Sequence, residues 1–577
     1  MMSQEESQVR IERVDDIPVI YGMLEQMGIQ GIIDNEINPH GNWAGLSPGW
    51  VITLWLVHIL SEQNHLMEPV QQWVRGHLYT LRKISGQELS ELDFTDDRLA
   101  ICLRELSVKQ AWQKIEEQLG VRLIRVYRLK PTLIRLDATV NTVHHDQAGG
   151  ALFAVGKAKN GLYETQFKTM MASLDPMGLP LAVDIVAGNR ADDPLYIPSY
   201  QRVKKILAQE GLLIVGDSKM SAVLTRGTIA ANGDYYLTPL ADQKDEPKLR
   251  GELLAAWLAQ DAEAQPLFLP EDRPSDGSAP DVTRAIGCGF EVIRTESVMV
   301  DEKEECWDER LLVVRSYSYQ KSILAGLHRR LAKAEEALIA LTPPRQRGKQ
   351  QITEEAQLLT AIKGIEQEYR VQGCFRYDYQ QEVTERQVRA YRDNPPRVER
   401  HVRYHLTVSR NQATIEQAEF EAGWRIYATN APAGRLPLEE AVLAYRGQIV
   451  QENIFRRLNG KMLSITPLYV QREDHARGLV HLLTLGSRLL SLGDFLAKKA
   501  LAQADEALAG VYPGNPNRST PRPTTERMLK AFEGIDLLFF SQGEHCFIHL
   551  TALQPVQQRI LALLGLQDTL FSTLLSA

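Results

Sequence analysis

The sequence predicts an α/β protein: a mixed-sheet core flanked by helices, interrupted by a largely β insertion subdomain, with helical N-terminal and C-terminal regions. Three observations carry this. Capped amphipathic segments fill residues 1–125. From about residue 130 the texture changes to β-branched runs separated by Gly- or Asp-containing turns. A strand-like segment then returns at GWRIYATN (423–430) and leads into a long helix.

Residues 1–125 read as a helical domain with clear starts. Ser47-Pro48 precedes the apolar run WVITLWLVHIL, Thr95-Asp96-Asp97 precedes RLAICLREL, and Ser107 precedes VKQAWQKIEEQL. Hydroxyls can cap free N–H groups there, and early Asp or first-turn Pro suits a helix N-terminus. GLSPG (45–49) formally matches a hydrolase pattern, but no strand precedes it and Pro48 makes it a helix start.

Residues 126–240 read as the first part of the core. PTLIRLDATVNTV, ETQFKTMMASLD and GLPLAVDIVAG are strands, 194–209 a helix, GLLIVGDSKM a buried strand ending at Asp217, and YYLTPL another strand after a further helix. Residues 241–423 read as the insertion: a Pro/Asp-rich loop, strands at GCGFEVIRTESVMV and ERLLVVRSYSY, a helix near 322–342, and alternating Arg-rich strands around 366–410. Residues 424–470 complete the core, with one long helix over LPLEEAVLAYRGQIVQENIFRRLNGK; residues 471–577 read as helical. There are no internal repeats.

Composition narrows the class. The 577 residues are 44% apolar and 24% charged, which excludes disordered, collagen-like and coiled-coil chains. Five scattered cysteines without a CxxC exclude a disulfide scaffold and argue against structural zinc. MMSQEESQVR lacks the apolar stretch of a signal peptide, and the run from Trp50 to Leu60 is shorter than the ~20 residues a bilayer span needs. The expectation is a soluble protein of a reducing compartment, without a membrane partner. A net charge of −8 argues against uniform coating of nucleic acid, but phosphate contacts need only local clusters. The window 376–410 holds eight Arg against five Asp and Glu, residues 121–135 hold five basic residues and no acid, and 511–530 carries Arg518, Arg522, Arg527 and Lys530 against Glu526. A solvated face is the plain alternative for each.

Two acids stand out. Asp137 sits mid-strand among apolar neighbours, where a lone carboxylate is costly unless it is paired or binds a cation. Asp217 lies just past a strand. Two strands of one sheet can bring such acids together, where like charges need a counter-ion such as Mg²⁺. Each Asp taken alone also reads as a turn or capping residue. On the long helix, 100° per residue groups Leu443, Val450, Ile454 and Leu458 within roughly 80° as a core stripe. Tyr445, Gln448, Glu452, Phe455, Arg456 and Asn459 fall on the opposite side. By geometry this is also an ordinary solvated face.

Asp137 in a strand, Asp217 after a strand, a large insertion and then YRGQIVQENIFRRLNGK resemble a DDE transposase of a bacterial insertion sequence. The chain is similar to the insertion-sequence-four superfamily, whose helix signature is Y-x2-R-x3-E-x6-K. Tyr445 and Glu452 match it; Gln448 stands at the Arg position and Asn459 at the Lys position, with Lys461 two residues later. FTDDRLAICLREL, the segment 155–193 and VGDSKMS resemble the branch typified by insertion sequence sixteen-thirty-four.

The resemblance implies an RNase H-like core in which Asp137, Asp217 and Glu452 hold two Mg²⁺ ions, with Mn²⁺ able to substitute. Such a site activates the attacking water or 3′-hydroxyl and stabilises the leaving oxygen at phosphorus. It implies double-stranded DNA as partner: element ends and target. Tyr445 is expected to contact a phosphate, Gln448 to grip less strongly than arginine, and Arg456 to lie beside the cleaved strand. Lys461 would replace the shifted lysine. Residues 1–125 are expected to read terminal sequence, and Arg386, Arg389, Arg392, Arg397, Arg400 and Arg403 to grip backbone. A working homodimer and a bacterial cytoplasmic location, on the nucleoid when bound, are also implied. The alternatives are an RNase H-like metal-dependent nuclease without strand transfer, and an inactive sequence-specific DNA-binding protein.

Weaker constellations are set aside. His144-His145-Asp146 reads as a polar turn, His401 and His405 lack further zinc ligands, GCG (287–289) is no dinucleotide fingerprint, and Lys157 and Lys159 read as exposed loop lysines that could face phosphates.

Overall fold

The computed structural model describes residues 8–575 apart from 40, 144–150, 159, 241–245, 261, 275–277, 345–350, 390–394, 467, 469 and 543–544. His144, His145, Asp146, Lys159 and Arg392 therefore lie outside the described residues.

The chain opens with strand β1 (Gln8–Arg13) and helices α1 (Ile17–Met27), α2 (Ile29–Glu36), α3 (Pro48–Glu62), α4 (Val70–Gly76), α5 (Leu78–Ser85), α6 (Asp96–Leu106) and α7 (Lys109–Tyr127). The starts differ from the expected hydroxyl caps. Ser47 donates its hydroxyl to Asp34 (2.5 Å), and the Asp34 carboxylate accepts the Gly49 N–H (2.7 Å) at the α3 N-terminus. A full negative charge suits that end of the helix dipole better than a hydroxyl. Ser107 closes α6 instead of opening α7, donating to the Arg104 carbonyl (2.6 Å).

Then follow β2 (Leu133–Thr142), β3 (Ala154–Lys157), β4 (Tyr163–Leu174), β5 (Leu179–Ala187), α8 (Tyr196–Leu207), β6 (Leu213–Gly216), α9 (Val223–Ala231), β7 (Tyr235–Pro239), α10 (Glu246–Ala259), β8 (Gln265–Leu267), β9 (Gly287–Val300) and β10 (Lys303–Ser316). After them come α11 (Tyr317–Ile339), α12 (Glu355–Tyr369), β11 (Phe375–Val388), β12 (Arg397–Arg410), α13 (Gln412–Glu421) and β13 (Trp424–Thr429). One ten-stranded mixed sheet runs β3-β4-β2-β6-β7-β13-β10-β9-β8, with β5 also on β4. β2, β6 and β7 are mutually parallel and the remaining pairs antiparallel. The parallel strands are crossed over through α8 and α9, as parallel pairing requires.

The expected insertion boundary at 241 does not coincide with a break in this sheet. β8, β9 and β10 extend it, because β10 pairs with β13 from Arg310↔Thr429 to Arg315↔Trp424. A separate small core holds only α11, α12, α13 and the base of the β11–β12 hairpin, around Leu331, Leu338, Leu358 and Tyr404. Residues 366–369, expected in a strand, close α12.

The chain ends with α14 (Leu438–Arg446), α15 (Ile449–Asn459), α16 (Glu473–Ala504), β14 (Leu508–Ala509), β15 (Ser519–Thr520), α17 (Thr525–Lys530), β16 (Asp536–Gln542), β17 (His545–Leu550), α18 (Pro555–Leu564) and α19 (Thr569–Ser572). The C-terminal region is thus not wholly helical. β16 and β17 form a three-stranded sheet with β1, so both ends of the chain share one sheet. α16 is long and apolar enough to cross a membrane, yet α3, α6, β5, α15, α17 and α18 pack around it. It is the shared core helix of the two terminal regions and the sheet.

Candidate active site

Alternation along β2 buries Ile134 and Leu136 in the large core and turns Leu133, Arg135 and Asp137 to the opposite sheet face. β6 does the same, with Ile214 on one face and Leu213 and Val215 on the other. The two strands are parallel and in register from Leu133↔Leu213 to Leu136↔Gly216. The next positions along each are Asp137 and Asp217, so the sheet places the two carboxylates side by side.

Asp217 is fixed by neutral donors. Its Oδ1 accepts the Tyr196 hydroxyl (2.5 Å) and the Lys219 N–H (2.9 Å), the latter capping a short 3₁₀ turn. Its carbonyl accepts the Thr238 hydroxyl (2.7 Å) from β7. Asp137 Oδ1 accepts the N–H of Ala138 (2.8 Å). Burial, then Asp217 and Asp137, push the Tyr196 phenol well above its ordinary pKa, so it stays a donor. Two adjacent carboxylates are hard oxygen donors of the kind Mg²⁺ takes together with water and phosphate oxygens. No third acid, histidine or cysteine completes a metal-holding group with them among the described residues.

The helix expected over 438–460 is two helices. It breaks at Gly447 and Gln448, between α14 and α15. Arg135, 3% exposed, packs against the break: a Cβ at Gly447 would come within 2.3 Å of its Nη2, so the position requires glycine. Arg135 is tied in turn to Asp175 (2.6 Å). The break resets the helical phase, so the stripe drawn through Leu443 and Val450 does not continue straight into α15. There Ile454 and Leu458 are buried as expected, while Phe455, placed on the polar side by that arithmetic, is also buried because α15 lies between β2 and α16. Gln451 is fully buried, accepting the Ser173 hydroxyl and donating to the Met171 carbonyl (3.4 Å). Met171 is the β4 residue opposite Asp137, so α15 is pinned directly behind that carboxylate.

Glu452, next to Gln451, is exposed. It lines a cavity of about 350 Å³ with Tyr445, Gln448, Arg425 and Tyr427. Asp217 lines an adjoining cavity of about 460 Å³ that shares Tyr445, Arg425 and Tyr319 with the first. Tyr445 therefore stands between Glu452 and Asp217. Its ring packs against Tyr427 (4.8 Å), and burial, the neighbouring tyrosine and both aspartates raise its phenol. The structure thus brings Tyr445, Gln448 and Glu452 around one cavity and Asp217 with Tyr445 around the adjoining one, while Asp137 lines neither and Glu452 lies outside the carboxylate pair.

The remaining expected residues lie elsewhere. Arg456 donates to Asn453 (2.5 Å) and faces a different groove; Lys461 is exposed in the turn after α15. Arg389 and Arg400 are exposed on the β11–β12 hairpin, whereas Arg403 donates to the Pro343 carbonyl (3.4 Å) and Arg397 is paired with Glu399 (2.5 Å). Sequence reasoning missed Tyr196, Arg135 and Gln451. Only Arg135 left a usable signal, its i,i+2 spacing from Asp137 in a β run.

No curated protein matches the chain. A cryo-EM structure of the piggyBac transposase synaptic complex with hairpin DNA is similar over 86% of this chain and 79% of that one, at 7% identity and a TM-score of 0.32. A family profile described as a transposase DDE domain matches residues 128–489. That span is well over half of the chain and runs from the start of β2 through α15 into α16, and the protein belongs to the DDE transposase family.

Proposed function

We propose that the protein is the transposase of a bacterial insertion sequence of the insertion-sequence-four superfamily, cleaving DNA at its element's terminal repeats and joining the ends to target DNA. On this reading β2, β4, β5, β6 and β7 are an RNase H-like core, and Asp137, Asp217 and Glu452 are its catalytic acids. The observation that carries it is the placement of Asp137 and Asp217 immediately past the in-register pair Leu136↔Gly216 of two parallel strands, inside the matched transposase span.

Asp137 and Asp217 would hold Mg²⁺ or Mn²⁺, with Glu452 completing the set for a second ion. When bound, such ions supply activation of the attacking water or 3′-hydroxyl and charge stabilisation of the leaving oxygen. The chain's own groups do the positioning. Tyr196 and the Lys219 amide hold one oxygen of Asp217, leaving the other for a ligand. Gln451 anchors α15 behind Asp137. On this reading DNA entry carries Glu452 to the pair by turning α15 about the Gly447–Gln448 break, which requires the Gln451 bonds to Ser173 and Met171 to open. Tyr445, between the acids, would meet a phosphate there. A homodimer acting on the bacterial nucleoid follows from the need to join two ends to one target.

The test is metal-dependent release of a labelled element end followed by its joining into a plasmid. Asp137→Asn, Asp217→Asn and Glu452→Gln should each reduce cleavage to background with end binding nearly unchanged. Cleavage without joining would make the protein a nuclease. Binding without cleavage by the unaltered protein would make it a DNA-binding protein only.

A further inference from the structure

α15 has a second flank. Next to Glu452 along the helix, Asn453 and Arg456 open onto a cavity of about 820 Å³ between α15 and α16, lined also by the Pro176–Met177 turn and by Thr524 and Glu526 at the start of α17. Its ionisable lining divides cleanly. Arg457 donates to both acids, Asp494 (2.7 Å) and Glu526 (2.7 Å), which are thereby neutralised. Asp494 is further occupied by the Thr525 N–H (2.6 Å) and hydroxyl (2.8 Å). The other three charged groups, Arg456, Lys498 and Lys499, are all cationic and exposed, and none forms an ion pair among the described residues. Phe495 provides an apolar floor under Lys499, whose Nζ lies 5.7 Å from the ring centroid. Beyond Glu526 the positive charge continues: Arg518 and Arg527 both sit 4.2 Å from the Tyr512 ring, and Arg522 is exposed.

We propose that this groove is a second DNA-backbone site, which takes the phosphates of duplex flanking the strand in the Glu452 cleft. The inference rests on the transposase reading. The groove has cations without acidic partners among the described residues, acids already consumed by Arg457, and a place on the same helix as the expected catalytic glutamate. A polyanion fits that charge pattern: Arg456, Lys498 and Lys499 remain without an acid to oppose them, because Arg457 already holds Asp494 and Glu526.

The test measures binding of a fluorescein-labelled random-sequence duplex by the full chain across a salt series. Arg456→Gln/Lys498→Gln/Lys499→Gln should flatten the slope of log K against log salt by about 2–3, since each phosphate contact contributes about 0.9. Lys205→Gln, an exposed charge on α8 away from the groove, should leave the slope unchanged. Circular dichroism checks that the triple variant is folded; the substituted side chains are exposed. An unchanged slope in the triple variant overturns the proposal. So does an unchanged slope with altered sedimentation, which would make the groove a protein contact. If the slope is unchanged while Asp217→Asn still abolishes cleavage, the groove alone falls and the transposase reading stands.

Discussion

Glu116 and Asp217 are both acids placed by secondary structure at junctions of the fold, and the molecule treats them oppositely. Glu116, on α7, is fully buried and takes the guanidinium groups of Arg202 from α8 and Arg488 from α16, as well as the Val183 N–H (3.3 Å) of β5. Its charge is spent inside the protein, tying the N-terminal helices, the sheet and α16 together. Asp217 takes a phenol and a backbone amide, both neutral. These orient the carboxylate and leave its charge for something outside. The difference separates an acid that holds a fold from one that can hold a cation.

The largest expected loss of stability comes from breaking the structural side. Glu116→Gln leaves Arg488 buried without an acidic partner, although Arg202 keeps Asp184 (2.7 Å), and an unmatched buried charge costs about 3–5 kcal/mol. Denaturant unfolding should register that loss, while Asp217→Asn, at the other site, should lower the midpoint far less; equal losses would erase the contrast.

The same knot should be acid-sensitive. His481 on α16 stacks on Trp112 (4.2 Å), donates to the Leu106 carbonyl (2.8 Å) and is held down to a pKa of about 3 by burial and by the nearby Arg202, Arg477 and Arg488. Between the unfolded value near 6.5 and about 3, the unfolded chain binds a proton that the folded chain refuses, so stability is complete above pH 6.5 and falls as pH drops. The loss by pH 5 is about 2 kcal/mol, and His481→Phe should flatten the stability profile over that window.

Gly447 packs against Arg135, on the Asp217 side of this comparison. Gly447→Ala would drive a Cβ into Arg135, and a clash in a packed site costs about 1–3 kcal/mol. Because the residue displaced is two positions from Asp137, cleavage should fall more than DNA binding. A variant that loses stability but keeps full cleavage would detach Arg135 from the site. The smallest effect is expected for Tyr196→Phe. Removing one neutral donor from Asp217 should slow cleavage about tenfold, ~1.4 kcal/mol in the barrier, and change unfolding by ~1 kcal/mol. Unaltered cleavage would mean that Tyr196 does not orient Asp217.

Much of the secondary structure was legible. The β-branched runs around Asp137, at 164–175 and at 178–188 became β2, β4 and β5, and LLIVG became β6, because alternation and turn residues are local signals. The long helix was not. Its break falls at Gly447, against which Arg135, some three hundred residues earlier in the chain, packs too closely to admit a Cβ. Phe455 was misplaced for a different reason: α15 packs against both β2 and α16, so more than one apolar stripe is buried. The strands β8 to β10 were read as belonging to an insertion because no local feature tells an edge strand of the main sheet from a strand of a separate one.

By itself the sequence determined that Asp137 lies in a strand and Asp217 after one, where most of the core strands run, and which family the chain resembles, all set by short-range spacing and side-chain chemistry. Only the tertiary structure decided that Asp137 and Asp217 are neighbours, that Tyr196 orients one of them, and that Arg457 absorbs the acids of the α15–α16 groove. Those facts depend on strand register and on long-range packing, where the partner of a residue is chosen by the fold and leaves no periodic trace in the chain.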